Sequence, residues 1–326
     1  MRAFVTGGAG FIGSVLVDRL LAEGHAVDVV DNLASGSLAN LAAARSNPDH
    51  ELSFQRLDVA SSDMAEVMTR RPPEVVYHLA SGPGSAASVA WPVADAEINV
   101  IGSLRVLEGA RRAGARKVVF ATSGAAIYGG SSTRPVKESA PLKPLSPHGV
   151  AEASVIGYLA AYRELHNLEY TALALASVYG AGQGPSGLSG VGSSGVESSG
   201  VVARFAGALA TGRPAVIYGD GMQTRDFVYV DDAVDALARA AGRGSGLTLN
   251  IGTGVETAIS ALYAKVAGAL GIDAAPTHAP ARPGEVVRCS LDPARAAIHL
   301  NWAPWTTLDA GVAAVAAWIR AGGPGG

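Results

Sequence analysis

Cysteine is nearly absent: the 326 residues contain one, Cys289. A single thiol excludes an internal disulfide and any metal centre built on several cysteines, and it suits a reducing compartment. No metal site is expected. Excess charge is absent too. Twenty-five basic residues face 28 acidic ones, for a formal net charge of −3, so nothing draws the chain to nucleic acid or to an anionic membrane. No apolar run approaches the ~20 residues a membrane helix needs. The chain enters strand-like sequence at Arg2 with no visible signal-peptide pattern, and the expected location is the cytoplasm. Apolar residues, by contrast, make up 48%, enough for a sizeable core, and the length suggests about two domains. Abundant alanine and glycine favour close packing of helices on a sheet.

The most informative stretch is the first. Arg2-Ala3-Phe4-Val5-Thr6 reads as a strand, Gly7-Gly8-Ala9-Gly10-Phe11-Ile12-Gly13 as a glycine turn, and Val15, Leu16, Leu20 and Leu21 continue at helical spacing. Such a turn lets the backbone approach a pyrophosphate, and the helix start offers free N–H groups and a positive dipole end. A second strand, Ala26 to Val30, ends at Asp31. A carboxylate there accepts from both hydroxyls of an adenosine ribose and repels a 2′-phosphate, so the expected cofactor is NAD.

Strand-like segments follow at 52–57, 75–79, 117–122 and 170–176, with helical stretches between them, notably 95–113 and 147–166. This alternation predicts an α/β fold: a doubly wound parallel sheet of the Rossmann type, followed by a smaller C-terminal α/β lobe for substrate. Residues 1–177 with 226–252 are expected to form the NAD-binding domain, and 178–225 with 253–326 the lobe. Ligands then lie beyond the carboxyl ends of the strands, near Asp31, Asp58, Leu79, Ser123 and Ser177. The Gly- and Ser-rich stretch 181–200 reads as a lid or a linker. Asp231 is expected to cap a helix, and a last helix is expected over 308–320.

Further along, Asp31-Asn32-Leu33, Leu57-Asp58-Val59, His78-Leu79-Ala80, Asn99-Val100-Ile101-Gly102, Ser177-Val178-Tyr179-Gly180, Tyr218-Gly219-Asp220-Gly221, Thr224 to Asp232 and Arg282-Pro283-Gly284-Glu285 occur in order. With the glycine turn, they resemble the extended short-chain dehydrogenases, and within these the nucleotide-sugar epimerases and dehydratases. The resemblance implies that Gly7, Gly10, Phe11, Ile12 and Gly13 line the pyrophosphate. It places Asp31, Asn32, Ser35 and Gly36 around the ribose, and Asp58 and Val59 at the adenine. Leu79, Ala80, Ser81, Asn99 and Val178 would line the rest of the cofactor. Ser177, Val216, Tyr218, Arg225, Arg282 and Glu285 would bind a nucleotide sugar, the arginines on its diphosphate. It also implies a homodimer, pairing through 95–113 and 147–166. His78 is expected to satisfy a core hydrogen bond.

The catalytic position departs from the family. Members carry Tyr-x-x-x-Lys after a Ser-Pro; here Ser146-Pro147 precede His148 and Glu152. Four residues apart, the two side chains share a helix face. A lysine stabilises a phenolate, whereas a carboxylate stabilises imidazolium, so Glu152 should raise the pKa of His148. Gly124 stands where many relatives have a hydroxyl, leaving Ser123 as the adjacent one. Ala125 and Ala126 replace the acidic pair of the dehydratases. The expectation is an NAD-dependent epimerase of a UDP-hexose-like substrate, with Ser123, His148 and Glu152 catalytic. The alternatives are changed, non-redox chemistry on the same scaffold, or an NAD-binding protein without turnover.

Overall fold

Strand order fixes where a ligand can lie. The computed structural model describes residues 1–82, 84–129, 131–184, 200–282 and 286–323. Six strands arrive in sequence: β1 (Arg2–Thr6), β2 (Ala26–Asp31), β3 (Leu52–Arg56), β4 (Val75–His78), β5 (Lys117–Ser123) and β6 (Glu169–Leu175). The strand Leu247–Ile251 joins beside β6, so the sheet runs Leu247–Ile251, β6, β5, β4, β1, β2, β3. Every pairing is parallel. The chain builds outward from β1 to β3, then returns to place β4 on the other side of β1. That reversal opens a crevice above β1 and β4, where open α/β sheets bind ligands.

Alternation along each strand sends side chains to both faces. Ala3 and Val5 pack with Leu16, Leu20, Val234 and Leu237, under the helices Phe11–Ala22 and Val230–Ala240. Phe4, Val76 and Val118 pack with Met64, Met68, Leu107 and Leu159 on the opposite face. Each fully buried Leu or Phe contributes about 1.5–3 kcal/mol, so helices anchored on both faces hold the strand ends in fixed register.

A third cluster, including Phe205, Ile217, Phe227, Leu262 and Val312, joins the helices Val201–Ala210, Ile259–Leu270 and Leu308–Arg320. Short strand pairs lie beside it: Ser177–Tyr179 with Phe227–Tyr229, and Val216–Tyr218 with Thr277–Ala279. Among the described residues no helix is long and apolar enough to cross a membrane.

Some local expectations change. Asp231 is not a cap: Tyr229 holds that position and Asp231 lies in the first turn. The stretch expected to be helical over 95–113 is broken into Pro92–Ala96, a π-helical turn Glu97–Gly102, and Ser103–Ala113. Ser103 Oγ donates to the Asn99 carbonyl at 2.5 Å within that turn, and Gly102 lets it press on Val59. Most of the 181–200 stretch, namely 185–199, lies outside the described residues.

Candidate active site

The glycine turn follows β1 and meets the end of β4. Gly7 has φ +70°, a left-handed conformation that suits glycine. A Cβ on it would stand 2.8 Å from Ala80 N. At Gly13 a Cβ would stand 2.1 Å from Gly7 O, so helix and turn touch backbone to backbone. Gly10 is different: a Cβ there would meet Gly7 O alone, at 3.2 Å, with nothing else within 4 Å. Gly10 starts the helix Phe11–Ala22 with no side chain capping it and no acidic residue in the first turn. Its amides and dipole are thus left to an anion. Asp31 accepts from Ala9 N at 3.0 Å and Leu33 N at 2.8 Å, which orients a buried carboxylate against the same turn. Gly36 packs against Ala9 and Asp31, Ser35 beside it is exposed, and Asn32 donates to Asp58 at 2.7 Å. This set of donors, one carboxylate and an open Gly10 fits a dinucleotide. Val59 is buried against Gly102.

From the turn, hydrogen bonds lead toward His148, where the sequence departs from the family pattern. Thr6 Oγ1 meets His78 Nδ1 at 2.7 Å and receives Ala80 N at 3.2 Å. His78 Nε2 meets Ser103 Oγ at 2.9 Å, so His78 is satisfied on both sides, and burial pulls its pKa down to about 4. Ser81 Oγ and Gly82 N both donate to Asn99 Oδ1, at 3.1 and 2.9 Å. Asn99 Nδ2 lies 3.2 Å from His148 Nδ1.

His148 and Glu152 open the helix Pro147–His166. Ser146 caps it by accepting from Gly149 N, and Pro147 takes the first helical position. Gly149 lies close against Ala126 O, where a Cβ would stand at 2.4 Å, which seats the helix on the short helix Gly124–Tyr128 that follows β5. His148 Nε2 meets Glu152 Oε1 at 3.3 Å, and Asp95 Oδ1 stands 3.3 Å from Nδ1. Glu152 Oε2 accepts from Thr122 Oγ1 and Ser123 N, both at 3.0 Å. Burial pulls the His148 pKa down, but the hydrogen bond and charge of Glu152, with Asp95, reverse this, and the net direction is up. Ser123 Oγ accepts from Ala126 N at 3.3 Å, capping the short helix Gly124–Tyr128. The missing hydroxyl at Gly124 also has a steric reason: a Cβ there would be 2.5 Å from a Leu291 methyl.

A cavity of about 280 Å³ is lined among others by Ser177, Val178, Val216, Tyr218, Arg225 and Arg282. Val178, which the resemblance places beside the cofactor, is on this wall. Arg282 stacks on the Tyr218 ring, its guanidinium carbon 3.8 Å from the centroid, and Arg204 lies 5.8 Å from the same ring. Glu285 is outside the described residues. Sequence reasoning missed Arg204 and Gln223, which also line the cavity. Neither belongs to a recognisable motif. It missed Asp95 as well, although an acid four residues before Asn99 carries the same-face signal used for His148 and Glu152.

Relatives with the same plan are known. The NAD dependent epimerase/dehydratase family matches residues 3–252. A UDP-glucose 4-epimerase of Mycolicibacterium smegmatis is 42% identical over 98% of this chain and 99% of its own. The structure of a Thermotoga maritima UDP-glucose 4-epimerase with UDP-glucose superposes with a TM-score of 0.91, at 37% identity over 99% of both chains. A Thermus thermophilus UDP-glucose 4-epimerase in complex with NAD gives a TM-score of 0.87, at 35% identity over 98% of this chain and 99% of its own. The glycine turn, the reversal of strand order above it and this agreement over nearly the full length lead to one assignment: the chain belongs to the NAD-dependent epimerase/dehydratase family.

Proposed function

We propose that the protein is an NAD-dependent epimerase of a UDP-hexose-like nucleotide sugar, with His148 and Glu152 handling the proton in place of tyrosine and lysine. The observation that carries this reading is the unbroken contact path Ser81–Asn99–His148–Glu152–Ser123. It leads from Ser81, just past the end of β4, to Ser123 at the end of β5. Bound NAD supplies the hydride acceptor and donor. Gly7, Gly10, Phe11, Ile12 and Gly13 hold its pyrophosphate, while Asp31 with Asn32, Ser35 and Gly36 selects the unphosphorylated ribose. Asp58, Val59, Leu79, Ala80, Ser81, Asn99 and Val178 complete that site.

The nucleotide diphosphate lies against Arg225 and Arg282, with Ser177, Val216, Tyr218 and Glu285 around it. Guanidinium forks match phosphate oxygens and stay charged at any working pH. Ser123 holds the reacting hydroxyl, and the His148–Glu152 pair takes its proton and gives it back. In this reading residues 1–177 with 226–252 form the cofactor unit, and 178–225 with 253–326 the sugar-nucleotide lobe. Incubation with UDP-glucose or UDP-galactose is expected to give a mixture of the two. Failure to interconvert any UDP-hexose removes the proposal.

The same pair supports a second reading, acid–base chemistry without redox, because the family's tyrosine and lysine are both absent. A His148→Phe variant separates the two: loss of a turnover during which NAD is never reduced favours the second.

We also propose a homodimer in the cytoplasm. Val93 and Val150 are 71% and 52% exposed on neighbouring helices, an apolar face suited to a second copy. The single buried thiol fits a reducing compartment.

A further inference from the structure

A second carboxylate stands against the histidine. Asp95 lies within the short helix Pro92–Ala96 and is 3% exposed. Its Oδ1 accepts from Asn99 Nδ2 at 2.8 Å and lies 3.3 Å from His148 Nδ1. Its Oδ2 is buried with no hydrogen-bond partner among the described residues. Across the ring, Glu152 Oε1 is 3.3 Å from Nε2.

We propose that Asp95 is a positioning residue that holds His148 as an imidazolium between two carboxylates, so that Glu152, rather than the ring, exchanges the proton with the sugar hydroxyl. The assignment of Glu152 rests on the epimerase reading; the charge state of His148 does not.

A neutral imidazole has one N–H and one lone pair. Whichever tautomer forms, one ring nitrogen then turns a lone pair toward a carboxylate oxygen in a buried site, which is costly. The doubly protonated ring gives each carboxylate a donor. Asn99 is the one neutral donor beside Nδ1. Its orientation is set by Ser81 and Gly82 on its oxygen, and of its two N–H groups one serves Asp95 at 2.8 Å, while Nδ2 stands 3.2 Å from the ring; a neutral ring would rest on that longer contact at Nδ1 with Asp95 Oδ1 still 3.3 Å from the same lone pair. The helix Ser85–Ala90 adds only Ser88, whose Oγ accepts from His148 N. Among the described residues Asp95 and Glu152 are therefore the charged groups that face the ring, and burial of Asp95 with one oxygen unpartnered itself calls for a cation alongside.

Glu152 is placed differently. Its Oε2 reaches Thr122 and the amide of Ser123 at the end of β5, beside the hydroxyl proposed to hold the sugar oxygen. As the carbonyl forms, the sugar O–H bond breaks and the proton passes to a Glu152 oxygen. It returns when the hydroxyl re-forms, in step with the two-electron exchange that the proposed activity supplies. The cation and the base have thus traded places relative to the family's tyrosine and lysine.

The test is nitrogen NMR of the full-length protein labelled at histidine, with the His148 signals assigned from a His148→Gln sample. The expected result at pH 7.5 is imidazolium shifts on both ring nitrogens. In Asp95→Asn, with circular dichroism unchanged, the His148 titration midpoint should fall by about 1–3 pH units. A neutral His148 ring in the wild type overturns the inference without any variant, and so does an unmoved midpoint in a folded Asp95→Asn. The second readout is the acid limb of kcat/KM against pH. It is expected to lie below the His148 NMR midpoint and apart from it, because a carboxylate is the base. A limb that coincides with the His148 NMR midpoint assigns the base to the ring and overturns the second half. Absence of epimerase turnover would count against the proposed function and leave the NMR result standing.

Discussion

Two alanine substitutions in the glycine turn separate its packing role from its ligand role. At Gly13 an added Cβ would meet Gly7 O at 2.1 Å, Gly8 Cα at 2.7 Å and Gly7 C at 2.9 Å. All three are backbone atoms, so no side chain can rotate away and the helix must lift from the turn. Overpacking of this kind costs about 1–3 kcal/mol, at times more. Gly13→Ala should fall at the upper end of that range, about 3 kcal/mol. For a chain of 326 residues the melting temperature then drops by roughly 4–5 °C, and NAD affinity is lost with the geometry. Gly10→Ala makes the opposite case. Its φ of −77° suits any residue, and its Cβ would touch Gly7 O alone, at 3.2 Å. Stability should change by less than about 1 kcal/mol. If the open side of Gly10 is where the pyrophosphate lies, the methyl occupies ligand space and NAD binding weakens about tenfold or more, roughly 1.4 kcal/mol. Thermal melts and calorimetric NAD titrations of both variants make the comparison. Wild-type NAD affinity in Gly10→Ala would refute the placement of the pyrophosphate, and an unshifted melt in Gly13→Ala would refute the packing argument.

Three further outcomes are expected. The raised His148 pKa means that pairing with a charged ring stabilises the fold fully below pH 6.5, and that this contribution fades as pH climbs through the folded-state value. Glu152→Gln should therefore cost about 1–3 kcal/mol at pH 6 and progressively less toward pH 9; melts showing the same loss at both ends contradict the pairing. Arg282→Ala removes a charge and its stack on Tyr218, so UDP binding should weaken about tenfold or more while NAD affinity is unchanged, as read by calorimetry with each ligand. The proposed dimer predicts that the wild type sediments as a dimer and the double variant Val93→Glu, Val150→Glu as a monomer; a monomeric wild type refutes the dimer, and a variant that still sediments as a dimer places its surface elsewhere.

Much of the scaffold was legible because its signals are local. The glycine turn, Asp31 at the end of the strand-like Ala26–Val30, and Ser146-Pro147 as cap and first helical residue each act within a few positions of themselves. The helices Pro147–His166 and Leu308–Arg320 appear with the bounds their sequences suggest. Strand ends moved by a residue where the neighbour's register decided them: Ser123 joins β5 because Leu175 lies opposite. What stayed hidden depends on distant partners. Leu291 fills the space beside Gly124 from 167 positions away. The π-helical turn at Glu97–Gly102 lies in a stretch whose apolar pattern reads as one continuous helix. Asp95 is 53 positions from His148, and only the fold shows that the histidine has two carboxylates rather than one.

The central claim is transient oxidation at one sugar carbon followed by return of the same hydrogen. UDP-glucose carrying deuterium at carbon 4, incubated with the protein and NAD in ordinary water, tests it directly by mass spectrometry and NMR of the product. The expected product is UDP-galactose that retains the deuterium at carbon 4. Product that has exchanged that deuterium for solvent hydrogen, or no product at all, would contradict it.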